Sequence, residues 1–373
     1  MDCCTQLTSH ICPKSEHGIY DLAFTSSPLL LAFKDLDEEA TDGIVNYVES
    51  NGVTALMKAS AFGDTECVEQ LLKIGAEVNQ VDSIGRTSLM FASENGHCEI
   101  ITKLIEYKAL VNQVNSNGHT ALMLASANGH QNAVELLVEQ SNINAVDKKI
   151  RTALMIASEY GKDKIVAALI KKQCQIHTSD FDGWNALMLA SANGHTEVVD
   201  ILLKHGAEIN KIEGDGWSSL MLASHKGYWD VVNLLIQKNA KINAAQCKGW
   251  TALMLASRHG HIKVVELLTE NKADVNIVDC NGWSALILAT KYGHTEIVQH
   301  LINIKDIKLN AVNNEGYSAL IIASQVGHDK IVEMLIKRGS NVASTEKNGM
   351  TALMVASSYG REKVVSLLIN GVH

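Results

Sequence analysis

Residues 184–217 read WNALMLASANGHTEVVDILLKHGAEINKIEGDGW, and this stretch decides the fold. Asn185 stands just before Ala186-Leu187, where a side-chain oxygen accepts from the free N–H groups that open a helix. Leu187 and Ala190 fall two and five residues after that cap, on one narrow apolar stripe. Gly194 supplies the left-handed residue that ends a short first helix and permits a tight turn. Val198-Val199 and Leu202-Leu203 then give a second helix apolar positions at i, i+1, i+4 and i+5. Ala207-Glu208-Ile209-Asn210 read as an extended finger, closed by Gly216 two residues before the next cap, Ser218.

The unit recurs outward in both directions. Its leucines stand at Leu56, Leu89, Leu122, Leu154, Leu187, Leu220, Leu253, Leu286, Leu320 and Leu353, with successive spacings of 33, 33, 32, 33, 33, 33, 33, 34 and 33. The caps are Thr54, Thr87, Thr120, Thr152, Asn185, Ser218, Thr251, Ser284, Ser318 and Thr351, all N-cap formers; they number repeats 1 to 10 below. Two helices of about nine residues cannot bury an apolar face alone, so units must stack on a shared core. The expectation is a helix-dominated solenoid over residues 51–373 with short hairpin-like fingers. Ile150 replaces the finger glycine beside the single 32-residue spacing, which makes residues 140–152, with Asn142 in place of a helix-ending glycine, the expected weak junction. Residues 28–50 read as a degenerate N-terminal capping unit whose Ile44, Val45 and Val48 mimic a second helix and whose finger is missing. Residues 1–27 carry no periodicity and are expected to form a mobile tail.

GHTEVVDILLKHGAEIN, followed by a Gly-Trp pair and a capped Ala-Leu, is similar to the ankyrin repeat, and the match recurs ten times. The family's T-P-L-H appears here as T-A-L-M, without its proline and histidine; methionine fills the histidine position in eight units, with Ile287 and Ile321 in the others. A thioether makes no loop hydrogen bonds, so a softer and more apolar seam is expected. The resemblance implies a non-enzymatic scaffold or adaptor that binds a protein or extended peptide on a concave face. The alternative is a regulatory or substrate-targeting subunit of an enzyme complex such as a ubiquitin ligase. It also implies possible asparaginyl hydroxylation at Asn79, Asn112, Asn144, Asn210, Asn243, Asn276 and Asn310; the competing reading is that these amides close the finger by bonding backbone groups.

Composition narrows the classes. Against 32 basic residues stand 41 acidic ones, a formal charge of −9, which disfavours general nucleic-acid binding unless one face is locally basic. Apolar runs such as Leu29 to Phe33 are far shorter than the roughly 18 residues of a membrane span. The N-terminus has neither a basic start nor an apolar core, so an intracellular, cytoplasmic location is expected. The eight cysteines form no CxxC pair.

No cofactor, metal or catalytic site is expected. Six histidines follow the inter-helix glycine (His97, His130, His195, His261, His294, His328). Ligands of one zinc ion sit within about 4 Å of each other, whereas packed helices are about 8–10 Å apart, so loop packing is the reading. Cys3, Cys4, His10, Cys12 and His17 match no zinc spacing. A P-loop is absent and Gly214-x-Gly216 lacks its third glycine. The serine repeated six residues after nine of the caps, with Thr290 in the remaining unit, is a seam residue, since a catalytic group needs one unusual environment.

One ladder differs between units. The residue before each cap runs Val53, Arg86, His119, Arg151, Trp184, Trp217, Trp250, Trp283, Tyr317, Met350. In ankyrin-like folds this slot points to the concave face, so the tryptophans are expected to be accessible. The residues seven and eight after the cap read His225-Lys226, Arg258-His259 and Lys291-Tyr292 in repeats 6 to 8. Together with the tryptophans and Tyr317 they form the candidate partner-binding groove. Duplication is the competing account, because ALMLASANGH occurs identically at 121–130 and 186–195. The last helix keeps the internal apolar pattern, so fraying or end-to-end contact is expected at the C-terminal repeat.

Overall fold

The computed structural model describes residues 45–370. The tail expected over residues 1–27, its Cys/His cluster and most of the capping unit lie outside the described residues. Ten helix pairs follow one another, from Ala55–Phe62 and Thr65–Lys73 to Ala352–Ser358 and Glu362–Asn370. First helices pack on first helices and second on second, so the architecture is an ankyrin-type solenoid. Every cap forms: the side chains of Thr54 and Asn185, for example, accept from the amides of Met57 and Met188. Methionine and isoleucine at the third helical position are buried in repeats 1 to 9, which makes the seam apolar.

The inter-helix glycine has two jobs. Gly63 and Gly96 take φ of 82° and 75°, and a Cβ on either would lie 2.6 or 2.5 Å from the ring of His97 or His130 in the next repeat. Those rings bridge the units. His97, His130, His195, His261 and His294 each hold Nε2 at 2.8–3.1 Å from the carbonyl oxygen 36 residues earlier. A carbonyl only accepts, so Nε2 carries the proton. Arg361 plays the same part through Nε to the carbonyl of Gln325 at 3.1 Å, while Nε2 of His328 is buried and unbonded.

Fingers are tied by two further ladders. A carboxylate or amide five residues before the cap caps the finger internally: Asp279 Oδ1 accepts from the amides of Asn281 and Trp283 at 2.9 and 2.8 Å. The asparagines marked for modification do not close their own finger. Each Oδ1 accepts from a backbone amide of the following unit: Asn79 from Leu110, Asn112 from Asn142, Asn144 from Gln175, Asn210 from Lys241, Asn243 from Asp274, Asn276 from Lys308 and Asn310 from Asn341, at 2.7–2.9 Å. Asn142 is therefore a rung of this ladder and not a substitute for a helix-ending glycine.

Two further expectations are revised. Asn46 accepts from Glu77 at 2.8 Å, Glu49 N donates to Val53 O and Gly52 N to Glu49 O. These are the bonds of a finger, so residues 46–53 are the finger thought to be missing: Val48, expected in a second helix, lies in it, Val45 is helical, and Ile44 lies outside the described residues. The junction expected to be weak holds a residue in a strained conformation. Ile150 adopts φ 62° in the slot where Gly118 and Gly183 take 82° and 89°, a conformation that a β-branched residue enters only under strain. Elsewhere consecutive fingers share a backbone bond, such as Ser116 N to Ile84 O, Lys148 N to Asn117 O and Gly214 N to Asp182 O. Among the described residues the corresponding bond from Phe181 N to Lys149 O is missing.

Candidate protein-binding surface

The surface is built by two positions of each repeat: the residue before the cap and the residue seven after it. Helical side chains lean toward the N-terminus, so the second folds back over the first. In repeat 4 the two make an ion pair, Arg151 Nη1 to Glu159 Oε2 at 2.9 Å, with Asp147 also on Arg151 at 2.9 Å. Burial alone would raise the Asp147 carboxyl, but hydrogen bonds from His119 and the Arg151 amide, and the Arg151 charge, outweigh it and hold the group down at about 2.

Repeats 7 and 8 place a cation on an indole at the same two positions. The Arg258 guanidinium carbon lies 5.4 Å from the Trp250 ring centre and Lys291 Nζ 4.5 Å from that of Trp283. Arg258 also lies 5.2 Å, and Lys291 5.8 Å, from the centre of the Tyr292 ring. In repeat 6 the pair is Trp217 against the edge of His225, at 5.8 Å between centroids, and His225 meets His259 of repeat 7 at 4.2 Å. The contacts form two sets, Trp217–His225–His259 and Trp250–Arg258–Tyr292–Lys291–Trp283, that adjoin at the neighbouring residues Arg258 and His259.

Burial pushes the His225 imidazole down to about 3, and the cationic surroundings of Lys226 and Arg258 add to the effect along with His259 and His261. His259 reaches further into solvent and is lowered to about 4, first by desolvation and then by Arg258. Both rings are neutral at pH 7, so the charge at the seventh positions is carried by Arg258 and Lys291, with Lys226 beside His225. Nδ1 of His225 is buried without a hydrogen bond, and among the described residues no group of three or more His, Cys, Asp or Glu is placed to hold a metal.

The accessible tryptophan ladder is corrected. Trp184 and Trp217 are each 5% exposed and belong to the continuous core, while Trp250 and Trp283 are half-buried against it. The slot opens onto the apolar seam, and packing an indole there removes apolar area from water at about 25 cal/mol per Å². Tyr317 is half-buried, and burial followed by Glu346 pushes its phenol up. Of the candidate groove, ring contacts join Trp217, His225 and His259 in one set and Trp250, Arg258, Tyr292, Lys291 and Trp283 in a second. Trp184 lies in the core.

The internal finger caps escaped the sequence reading, although the signal was present: a carboxyl or amide residue stands five before all ten caps, from Glu49 to Glu346. Trp229, on a second helix and 40% exposed, was also missed, since nothing in the repeat pattern marks it.

Among the described residues no helix is long and apolar enough to cross a membrane. A family model described as ankyrin repeats (3 copies) matches eight overlapping stretches, from 25–115 at one end to 305–373 at the other. No curated protein matches the chain.

Proposed function

Because the chain belongs to the ankyrin-repeat family, whose stacked units recognise proteins, we propose that it is a non-enzymatic scaffold or adaptor that holds a partner's segment on the concave surface of repeats 6 to 9. The observation that carries this reading is the row of cations packed on half-buried aromatic rings across consecutive repeats. Arg and Trp are the residue types in which binding energy concentrates at interfaces, and packing on the rings pre-positions the cations, which lowers the ordering cost of association. Trp184 and Trp217 act in this reading as supports beneath the surface. The anchors are Trp250, Trp283, Tyr292, Tyr317 and the side chains of Lys226, Arg258, His259 and Lys291.

A photoreactive benzoylphenylalanine at Tyr292, compared with one at Trp229 on the second-helix side, tests the placement. Partner adducts confined to the Tyr292 derivative, and lost on Trp250→Ala/Trp283→Ala substitution, are the expected result. Equal adduct formation from both positions would overturn it.

A further inference from the structure

The two positions that build the surface reverse their chemistry along the solenoid. Seven residues after the cap, repeats 2 and 4 carry Glu94 and Glu159, and repeats 6 to 8 carry His225, Arg258 and Lys291. Before the cap, repeats 2 and 4 carry Arg86 and Arg151, and repeats 6 to 8 carry tryptophan. In repeat 4 the arginine and the glutamate neutralise each other at 2.9 Å. In repeats 7 and 8 the cation instead rests on an indole, whose quadrupole attracts it while contributing no formal negative charge. The net charge of the pair changes from zero to positive although the packing of the two positions is kept.

The surroundings report the same sign. His225 and His259 are both held below the usual imidazole range, first by burial and then in part by the charges of Arg258 and Lys226. A chain of formal charge −9 thus places Arg258 and Lys291 at the seventh position and Lys226 at the eighth, with no acidic side chain at either position of repeats 6 to 8. Such a patch on an acidic protein selects by charge.

Resting on the reading that this face binds a protein segment, we infer that the segment is an extended acidic one, carrying carboxylates three residues apart opposite the equivalent Arg258 and Lys291, with further carboxylates at the same spacing toward the Lys226 end. The spacing follows from two lengths. Packed helices of successive units lie about 10 Å apart, and an extended chain advances about 3.3 Å per residue, so three residues span one repeat. The ligand's intervening side chains meet the exposed edges of Trp250, Trp283 and Tyr292. Phosphates of a nucleic-acid strand fit less well, because the surface potential of a chain of formal charge −9 opposes a long polyanion.

The experiment is fluorescence anisotropy of the full chain with labelled twelve-residue peptides at moderate salt. One peptide carries Glu at i, i+3, i+6 and i+9 in an Ala/Ser background, a second carries Lys at those places, a third has the same glutamates clustered at one end, and a fourth probe is a single-stranded oligonucleotide of similar length. The spaced Glu peptide should bind at least tenfold tighter than the Lys peptide and severalfold tighter than the clustered one. Arg258→Glu/Lys291→Glu should weaken it by more than tenfold, while Lys263→Glu on the second-helix side leaves it unchanged. Equal binding of the Glu and Lys peptides, indifference to the double reversal, no preference for the spaced arrangement, or tighter binding of the oligonucleotide would each overturn the inference. Crosslinking from Tyr292 alongside any such failure would remove the acidic ligand and leave protein binding at this face standing; loss of that crosslinking would remove both.

Discussion

Ile150→Gly is expected to stabilise the protein, although it deletes a branched apolar side chain. Ile150 holds φ 62°, and a left-handed conformation costs a residue with a Cβ about 1–2 kcal/mol. In the same slot an added Cβ on Gly118 would stand 2.7 Å from the next finger, so the glycine should also let Phe181 N reach Lys149 O and form a bond with a net value of about 1 kcal/mol. Against these gains stand the extra chain entropy of glycine, about 0.5–1 kcal/mol, and the loss of a half-buried side chain, about 1 kcal/mol. The balance is a gain of about 1 kcal/mol, which lowers a local opening constant about fivefold. Hydrogen exchange read by mass spectrometry over residues 140–190 should slow by that factor, with little change in repeats 8 to 10, since solenoid stability is nearly a sum of neighbouring terms. Gly118→Ile supplies the reverse case: its Cβ would stand 2.7 Å from Lys148 N, and opening between repeats 2 and 4 should accelerate by tenfold or more. Unchanged or faster exchange in Ile150→Gly would refute the strain argument.

His130→Ala removes the 2.8 Å bond to the Glu94 carbonyl and the ring that packs on Gly96; urea denaturation should show a loss of about 1–2 kcal/mol, against less than about 0.5 kcal/mol for His177→Ala at an exposed finger. The Asp147 carboxyl is depressed to about 2 in the folded chain, so its contribution of about 2 kcal/mol is present above its unfolded value near 4 and is lost as pH falls from there toward 2. Asp147→Asn keeps the finger cap, as Asn115 does in the preceding unit, and should flatten that part of the acid denaturation profile; an unaltered profile would place the acid sensitivity elsewhere. Met354 is 54% exposed where Met254 is 1% exposed, so Met354→Lys should change stability by less than about 0.5 kcal/mol and Met254→Lys should cost several kcal/mol, both read by chemical denaturation.

Much of the fold is legible because each unit repeats the same local instructions. A hydroxyl or amide at each cap, a glycine at each inter-helix turn and the leucine spacing place all ten helix pairs without reference to long-range contacts. What stays hidden is which partner a polar side chain chooses across a repeat boundary. Asn79 and its equivalents bond the next unit's backbone, and no local signal distinguishes that from closing their own turn. The tryptophans show the same limit. Residue type and slot are visible, but whether an indole enters the seam or lies beneath a cation depends on the residue seven after the cap: Ala192 in repeat 5, Arg258 in repeat 7. The first finger was misread because Val45-Asn46-x-Val48 also suits a helix; aligned on Asn79, it matches Val78-Asn79-x-Val81.

The asparagine rungs determine where this chain tolerates changes in length. Each rung joins a finger Asn to the amide two residues before the equivalent position of the next unit, whether the two are 30, 31 or 32 residues apart. The missing residue of the 32-residue spacing and the extra one of the 34-residue spacing both fall upstream of the rung, between the second helix and the finger, at 138–142 and 302–308. That joint behaves as an expansion gap in an otherwise fixed track. Copying or deleting a whole unit leaves every rung in register, as the identical segments 121–130 and 186–195 suggest for this chain's own history, and a grafted loop or reporter inserted at the joint would alter the length of one unit without shifting the alignment of the rest.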